Sequence, residues 1–321
     1  MVTTLESPPN GTQSSPFIGR PPVCVAYRTP MGRMLHGLSD ELLRSDCLER
    51  YRGRVDLVFT SPPFPLNRKK KYGNLTGEEY MEWLSSYGPL LKSVLKPTGS
   101  IVMELGNAWE QGSPVMSTLP VRSLLKFQTD NGLHLCQEFV WHNPAKLPSP
   151  AQWVNVERIR LKDSFTKLWW MSPTPKPKAD NRRVLKEYST AMKQLLATQT
   201  YNAGRRPSEH KIGEDSFLSD NGGAIPGSVL TFANTQANDP YQEYCRNTGI
   251  EPHPARMPSA LAEFFIRLLT EPGDLVLDPF AGSNTTGAAS EAQGRYWLSI
   301  EAESKYIEGS RGRFPAIIEQ E

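Results

Sequence analysis

Asp274-Leu275-Val276-Leu277-Asp278-Pro279-Phe280-Ala281-Gly282-Ser283-Asn284-Thr285-Thr286-Gly287 is the stretch on which the fold turns. Three apolar residues between two aspartates fit a short strand buried on both faces. The tight turn of Pro, Gly and small hydroxyl residues that follows leads into a helix. A second stretch, far upstream, has the same design. Val55-Asp56-Leu57-Val58-Phe59 is an apolar run, and Thr60-Ser61-Pro62-Pro63-Phe64 ends it in a loop stiffened by two prolines. Ligands of open α/β sheets sit at the carboxyl ends of strands. Two such loops side by side give a cofactor site next to a site for a flat, polar substrate.

Working outward, residues 1–22 are rich in Ser, Thr, Pro and Gly without periodicity and read as a flexible tail. A short strand is expected near residues 32–36. A helix follows over 39–50, opened by Ser39 and carrying Leu42, Leu43 and Leu48. Thr76-Gly77-Glu78-Glu79 opens another helix, which stops at Lys96-Pro97-Thr98-Gly99. Ser100-Ile101-Val102-Met103-Glu104-Leu105 reads as a buried strand, residues 119–131 as a helix, and 136–141 and 164–171 as strands. This alternation argues for a doubly wound, mostly parallel α/β sheet. A Pro-broken run at 172–178 interrupts it, and composition turns polar up to residue 249. The pattern then resumes with a helix at 259–269 and strands at 274–278 and 296–301. The expected organisation is a catalytic domain over 23–172 and 250–315, with 173–249 inserted as a second, smaller module.

A chain of 321 residues with net charge +2 and 38% hydrophobic residues has room for one large α/β domain and a small one. Its four cysteines are scattered, without CxxC or Cys/His clusters, so no zinc site or disulfide frame is expected. No metal is implied. No apolar stretch is long enough to cross a bilayer and no signal peptide is evident, which points to the cytoplasm and away from membranes.

The glycine loop excludes two phosphate chemistries. Gly282 and Gly287 match GxxxxG, but Ala288-Ala289 follow where a nucleotide-triphosphate loop needs Lys and Ser/Thr. The loop is not GxGxxG either. What remains is a strand ending in Asp278, a small-residue turn, and a strand ending in Glu301. Glu301 suits ribose hydroxyls, and Asp278 suits an ammonium group or a cation. S-adenosylmethionine combines sulfonium, ammonium and ribose without phosphate. On the other side, the prolines of Ser61-Pro62-Pro63-Phe64 aim carbonyl oxygens and the Ser61 hydroxyl at one point. Such acceptors take both hydrogens of an exocyclic amino group, while Phe64 offers a face for a base. Methylation at cytosine C5 needs a thiolate nucleophile, usually in a Pro-Cys pair; no cysteine here follows a proline.

With these motifs in hand, the chain resembles the β-class amino-methyltransferases of restriction–modification systems, and most closely their PvuII-type cytosine-N4 branch. The matching runs span about residues 27–314. They are Thr60-Ser61-Pro62-Pro63-Phe64 with 66–73, Leu95-Lys96-Pro97-Thr98-Gly99-Ser100, and 141–150 with Trp153-Val154-Asn155. Residues 220–226, His253-Pro254-Ala255-Arg256-Met257-Pro258 and the glycine loop complete the series. Catalytic loop before cofactor loop is the circularly permuted order of that class. The resemblance implies a Rossmann-like methyltransferase sheet. It also implies a cofactor pocket from Asp278, Phe280, Gly282, Ser283, Asn284, Thr285 and Glu301, with Arg256 and Pro258 by the methionine end and Ser39 near the adenine. Ser61, Pro62, Pro63 and Phe64 would hold a flipped cytosine. Asn284 stands where the wider family often has Gly.

A paired base must be flipped out before its amino group can react. Arg68-Lys69-Lys70-Lys71 directly after the proline loop are candidates for phosphate contact. Residues 176–211 carry nine Lys/Arg against three acids, which marks the insert as a target-recognition module, with Arg182, Arg183, Arg205 and Arg206 typed for guanine edges or phosphates. The expected activity is methyl transfer from S-adenosylmethionine to N4 of a flipped cytosine in double-stranded DNA, protecting a host from a cognate restriction endonuclease with which no stable complex is needed. Two alternatives stand beside it, adenine-N6 methylation and a catalytically silent DNA-binding regulator. Oligomeric state and the recognised DNA sequence are left open.

Overall fold

The computed structural model describes residues 25–64, 77–201, 204, 205, 207, 211–213, 217–235 and 239–318. In chain order the elements are β1 (Val25–Arg28), β2 (Gly32–His36), α1 (Ser39–Arg44), β3 (Val55–Thr60), α2 (Gly77–Val94), β4 (Leu95–Leu105) and α3 (Leu119–Asp130). There follow β5 (His134–His142), β6 (Phe165–Ser172), α4 (Thr190–Thr198), the short β7 (Gly204–Arg205) and β8 (Lys211–Ile212), and β9 (Val229–Thr231). The chain continues through α5 (Pro240–Thr248), α6 (Ser259–Leu269), β10 (Leu275–Asp278), α7 (Thr285–Ala292), β11 (Tyr296–Glu301) and α8 (Ser304–Ser310).

Nine strands form one sheet in the order β1-β2-β11-β10-β3-β4-β6-β5-β9. The run from β2 to β4 is parallel throughout. Strand β1 and the β5–β6 pair run antiparallel to their neighbours, and β9 lies parallel to β5. The central strands are apolar at nearly every position because both faces are covered. Every residue of β3 and β10 is buried. Val58, Leu275 and Leu277 pack into a cluster with Leu43, Leu84 and Leu91 of α1 and α2. Leu57, Phe59 and Val276 face the other way, onto Leu261, Phe265 and Leu268 of α6. This two-sided covering is what a doubly wound sheet requires.

Two expectations change. The helix expected over 39–50 breaks at Ser45, where the backbone turns extended and a 3-10 turn takes over at Asp46–Tyr51. Ser45 Oγ donates to the Leu42 carbonyl at 2.8 Å, a local bond that competes with helix continuation. The segment 173–249 is also partly built into the sheet domain. Strand β9 pairs with β5, and Val184 and Leu230 join the α6 cluster. Helix α5 buries Tyr241 and Cys245 against α8 and the turn at Arg311–Arg313. Within 185–227, by contrast, α4 has no buried residue. No helix among the described residues is long and apolar enough to cross a membrane.

Candidate active site

Strands β3 and β10 are neighbours, with Leu57 beside Val276 and Val58 beside Leu277. Their exit loops therefore leave the sheet side by side, and one carboxylate ties them. Asp278 Oδ1 accepts from Thr60 Oγ1 at 2.8 Å and from the Phe280 amide at 3.1 Å, and Oδ2 accepts from Thr286 Oγ1 at 2.7 Å. Burial pushes the Asp278 carboxyl up to about 6, while the Thr286 and Thr60 hydroxyls and the Phe280 amide act the other way. From sequence Asp278 suits an ammonium group or a cation. In the structure its first task is to lock the two loops together, and its charge adds negative potential to the cavity it lines.

Glu301 closes β11 one strand away. Its Oε2 accepts from the Gly282 amide at 2.7 Å and its Oε1 from the Glu303 amide at 2.9 Å. Together with the Ala302 amide these leave part of the carboxylate's acceptor capacity for an incoming hydroxyl. Burial raises this carboxyl, opposed by the backbone amides it accepts from. Gly282 adopts φ +50°, and a Cβ there would stand 3.1 Å from the His253 ring, so the loop needs glycine for both shape and space. Phe280 packs between Trp83 and Tyr87, with ring centroids 5.8 and 5.1 Å away. Ser39 donates its hydroxyl to the Pro279 carbonyl.

On the facing wall, Ser61 Oγ donates to Glu104 Oε2 at 2.5 Å. Glu104 sits near the end of β4 with 3% of its surface exposed. Burial raises its carboxyl above the usual range, against the Ser61 hydroxyl and the Lys146 ammonium. Tyr80 OH donates to the Pro63 carbonyl at 2.8 Å and fixes the proline turn from α2. The Phe64 ring lies against Gly106, where a Cβ would come within 3.3 Å of it.

Both walls line a single cavity of about 770 Å³, reached by Ser61–Phe64 from one side and by Phe280, Gly282, Ser283, Thr285 and Glu301 from the other. Ser39, Asp278 and Arg256 line it as well. Asn284 and Pro258 are not among the lining residues. Asn284, fully buried at φ +55°, turns its side chain inward: it accepts from the Gly287 amide and Ser299 Oγ and donates to Tyr27 OH. Pro258 caps the start of α6.

The basic residues divide. Arg68, Lys69, Lys70, Lys71 and Arg206 lie outside the described residues, as does the side chain of Arg205, whose backbone belongs to β7. Arg182 is paired with Asp180 at 2.8 Å, and Arg183 with Glu271 at 3.0 Å and the Leu268 carbonyl at 3.2 Å. Those partners sit where α6 ends and β10 begins, whereas the cavity opens where β10 ends. The structure thus places Arg182 and Arg183 away from the cleft: Arg183 fastens the chain to the opposite rim of the sheet, while Arg182 is held only by its neighbour Asp180. The sequence reading missed Glu104, Tyr80 and the Lys146–Asp163 pair, of which Lys146 lines the cavity. Glu104 had a signal, since it is an acid inside an otherwise apolar strand, and Lys146 lies in the matching run 141–150; Tyr80 and Asp163 had none.

A family profile described as DNA methylase matches residues 55–311. Among curated proteins, the chain is 46% identical over 291 residues to the type II methyltransferase M.PvuII of Proteus hauseri, covering 90% of this chain and 85% of that protein. It is 29% identical to the type II methyltransferase M.BglII of Bacillus subtilis over 79% of this chain and 62% of that one. Among solved structures, the PvuII DNA methyltransferase (cytosine-N4-specific) matches with a TM-score of 0.73 and 39% identity, covering 91% of this chain and 89% of that one. The M1.HpyAVI–SAM complex matches with a TM-score of 0.51 at 21% identity, over 88% of this chain and 100% of that one, a likeness of fold.

Proposed function

The chain belongs to the DNA methylase family, and from that premise we propose that it is a type II DNA methyltransferase carrying a methyl group from S-adenosylmethionine to N4 of a flipped cytosine. One observation carries the reading. Ser61, bonded to buried Glu104, opens onto the same cavity as the glycine loop and Glu301.

The residues fit the cofactor. Glu301 lines the cavity beside the turn it braces and would hold ribose hydroxyls, and Phe280, backed by Trp83 and Tyr87, gives an aromatic face. The Gly282 backbone clears the space that a side chain would fill. S-adenosylmethionine supplies an electrophilic methyl on its sulfonium. The rest is done by this chain. Phe64 supports the extruded base, and Ser61 Oγ accepts a hydrogen from the exocyclic amino group, turning the nitrogen lone pair toward the donor. As N4 gains the methyl it becomes cationic and must lose a proton. Ser61 Oγ takes that proton while passing its own to Glu104 Oε2. A buried carboxylate with a raised pKa holds a proton better than an exposed one, so its burial serves the step. Protonating Glu104 beforehand blocks the route, so turnover falls as pH drops through its raised pKa.

Double-stranded DNA is the substrate, and the type II relatives point to a cognate restriction endonuclease acting on the same sequence without a stable complex. The chain order, proline loop before glycine loop, is that of a circularly permuted methyltransferase, and residues 185–227 are the part of the insert left to read the target. Such an enzyme works in the cytoplasm, where its DNA lies. Incubation with labelled S-adenosylmethionine and DNA, followed by mass analysis of the nucleosides, tests the proposal. N4-methylcytosine is expected; N6-methyladenine would shift the target base, and no labelled base would leave a silent DNA-binding protein.

A further inference from the structure

One charged group of the cavity enters the transfer just described only through its charge on Glu104. Lys146 comes from the 143–164 connection between β5 and β6 and lines the cavity with Ser61, Glu104 and Asn107. Its ammonium is held by Asp163 Oδ2 at 2.8 Å. The other oxygen of Asp163 accepts from Asn107 Nδ2 at 2.8 Å, and the Asp163 side chain is only 8% exposed. The carboxylate is therefore gripped from both sides and sets the position of the lysine. Asn107 gives its remaining amide hydrogen to the Phe165 carbonyl at 3.0 Å and has no donor left. An ammonium carries three hydrogens; Asp163 takes one, and two remain for whatever enters the cavity. The nearby Ser61 side acts as acceptor, and Lys146 is the cationic donor of this wall.

Resting on the methyltransferase reading, we propose that Lys146, steadied by Asp163 and Asn107, identifies the flipped base as cytosine by donating to its 2-keto oxygen. The two candidate bases share an amino group with a ring nitrogen acceptor beside it. They differ at the next atom along that edge: cytosine has a carbonyl oxygen, adenine a C–H. With the amino group fixed at Ser61, a cation facing that next atom gains a bond with cytosine. With adenine it is left desolvated against carbon, and sites built for a polar partner reject analogues that lack it. Ser61 alone cannot make this distinction, because both amino groups present the same hydrogens to it.

The test is a cycle between protein and substrate. Single-turnover methylation by the full chain is measured on a duplex with cytosine at the target position and on one with adenine there, for wild type and Lys146→Met. The target site is first located by sequencing methylated DNA. The cytosine-to-adenine rate ratio is expected to fall by about tenfold or more in the variant. The cost of flipping each base is common to both proteins and cancels. A lysine that only pins the 143–164 connection would slow both duplexes equally, and an unchanged ratio overturns the proposal. Should Lys146→Met fail to fold, Lys146→Arg keeps the ion pair but displaces the donor, and the ratio must still fall, by about threefold. Wild-type protein that methylates neither duplex would instead sink the methyltransferase reading itself.

Discussion

The two walls of the cavity are finished to different degrees. On the cofactor side, Asp278, Ser283, Asn284, Thr285 and Thr286 are each no more than 5% exposed, and their polar groups are bonded within the protein. On the base side, the 143–164 connection stands in solvent, with Leu147 79% and Leu161 89% exposed, and is drawn inward chiefly at Lys146 and Asp163. Connections this long without strand or α-helix are uncommon and usually functional. The contrast follows from the ligands. A small cofactor is the same at every turnover and rewards a preorganised wall, whereas a duplex has to arrive, deform and leave. One wall can be fixed during folding; the other is completed by its substrate.

The walls therefore come apart under mutation. Ser61→Ala should lower single-turnover methyl transfer about 10²–10³-fold, the order for losing a positioned proton acceptor, while the cofactor Kd moves less than about twofold. Equal losses in both measurements would mean that the walls act as one unit.

A smaller effect sharpens the comparison from the cofactor side. The Asp278 carboxyl is raised by burial to about 6, above its value in the unfolded chain. The folded state therefore favours the protonated form, and the stability this group contributes is full below its unfolded pKa and lost as pH rises through about 6. Asp278→Asn should remove that dependence, flattening the pH profile of unfolding free energy by roughly 2–3 kcal/mol between pH 4 and 8. Cofactor affinity should move oppositely in the wild type, weakening by about tenfold as pH falls through this range and the negative charge disappears. Denaturant unfolding and cofactor titration across the same pH series check both signs. Smallest of all, Arg182→Ala should leave DNA affinity within about twofold, since an exposed ion pair on the far rim contributes little. A tenfold loss in a binding titration would place that rim in the DNA interface after all.

The central strands and their helices were legible because burial on both faces writes itself into composition: β3 and β10 hold little that is polar besides Asp56, Thr60 and Asp278. The turns after them were legible for the same reason, since Pro and Gly have local meaning. What could not be read depends on partners far along the chain. Nothing near Val229 announces that it will pair beside Val140, and nothing near Arg183 announces Glu271. Asp163 is one of two acids in a polar loop until Lys146 and Asn107 close on it. Asn284 hides its partners for the opposite reason. Its place in a ligand-binding turn suggested contact with ligand, yet its side chain is spent on the protein.

That inward turn has a consequence for anyone cutting and joining such enzymes. Asn284 fastens the first strand, through Tyr27, to β11, through Ser299, and only then to its own helix. A glycine would satisfy the backbone angle but take the acceptor from Ser299 Oγ and leave Tyr27 OH to Ser310 alone. Chimaeras that exchange the glycine loop alone would carry a lock without its key; β1, although it lines no part of the cavity, has to be transplanted with it.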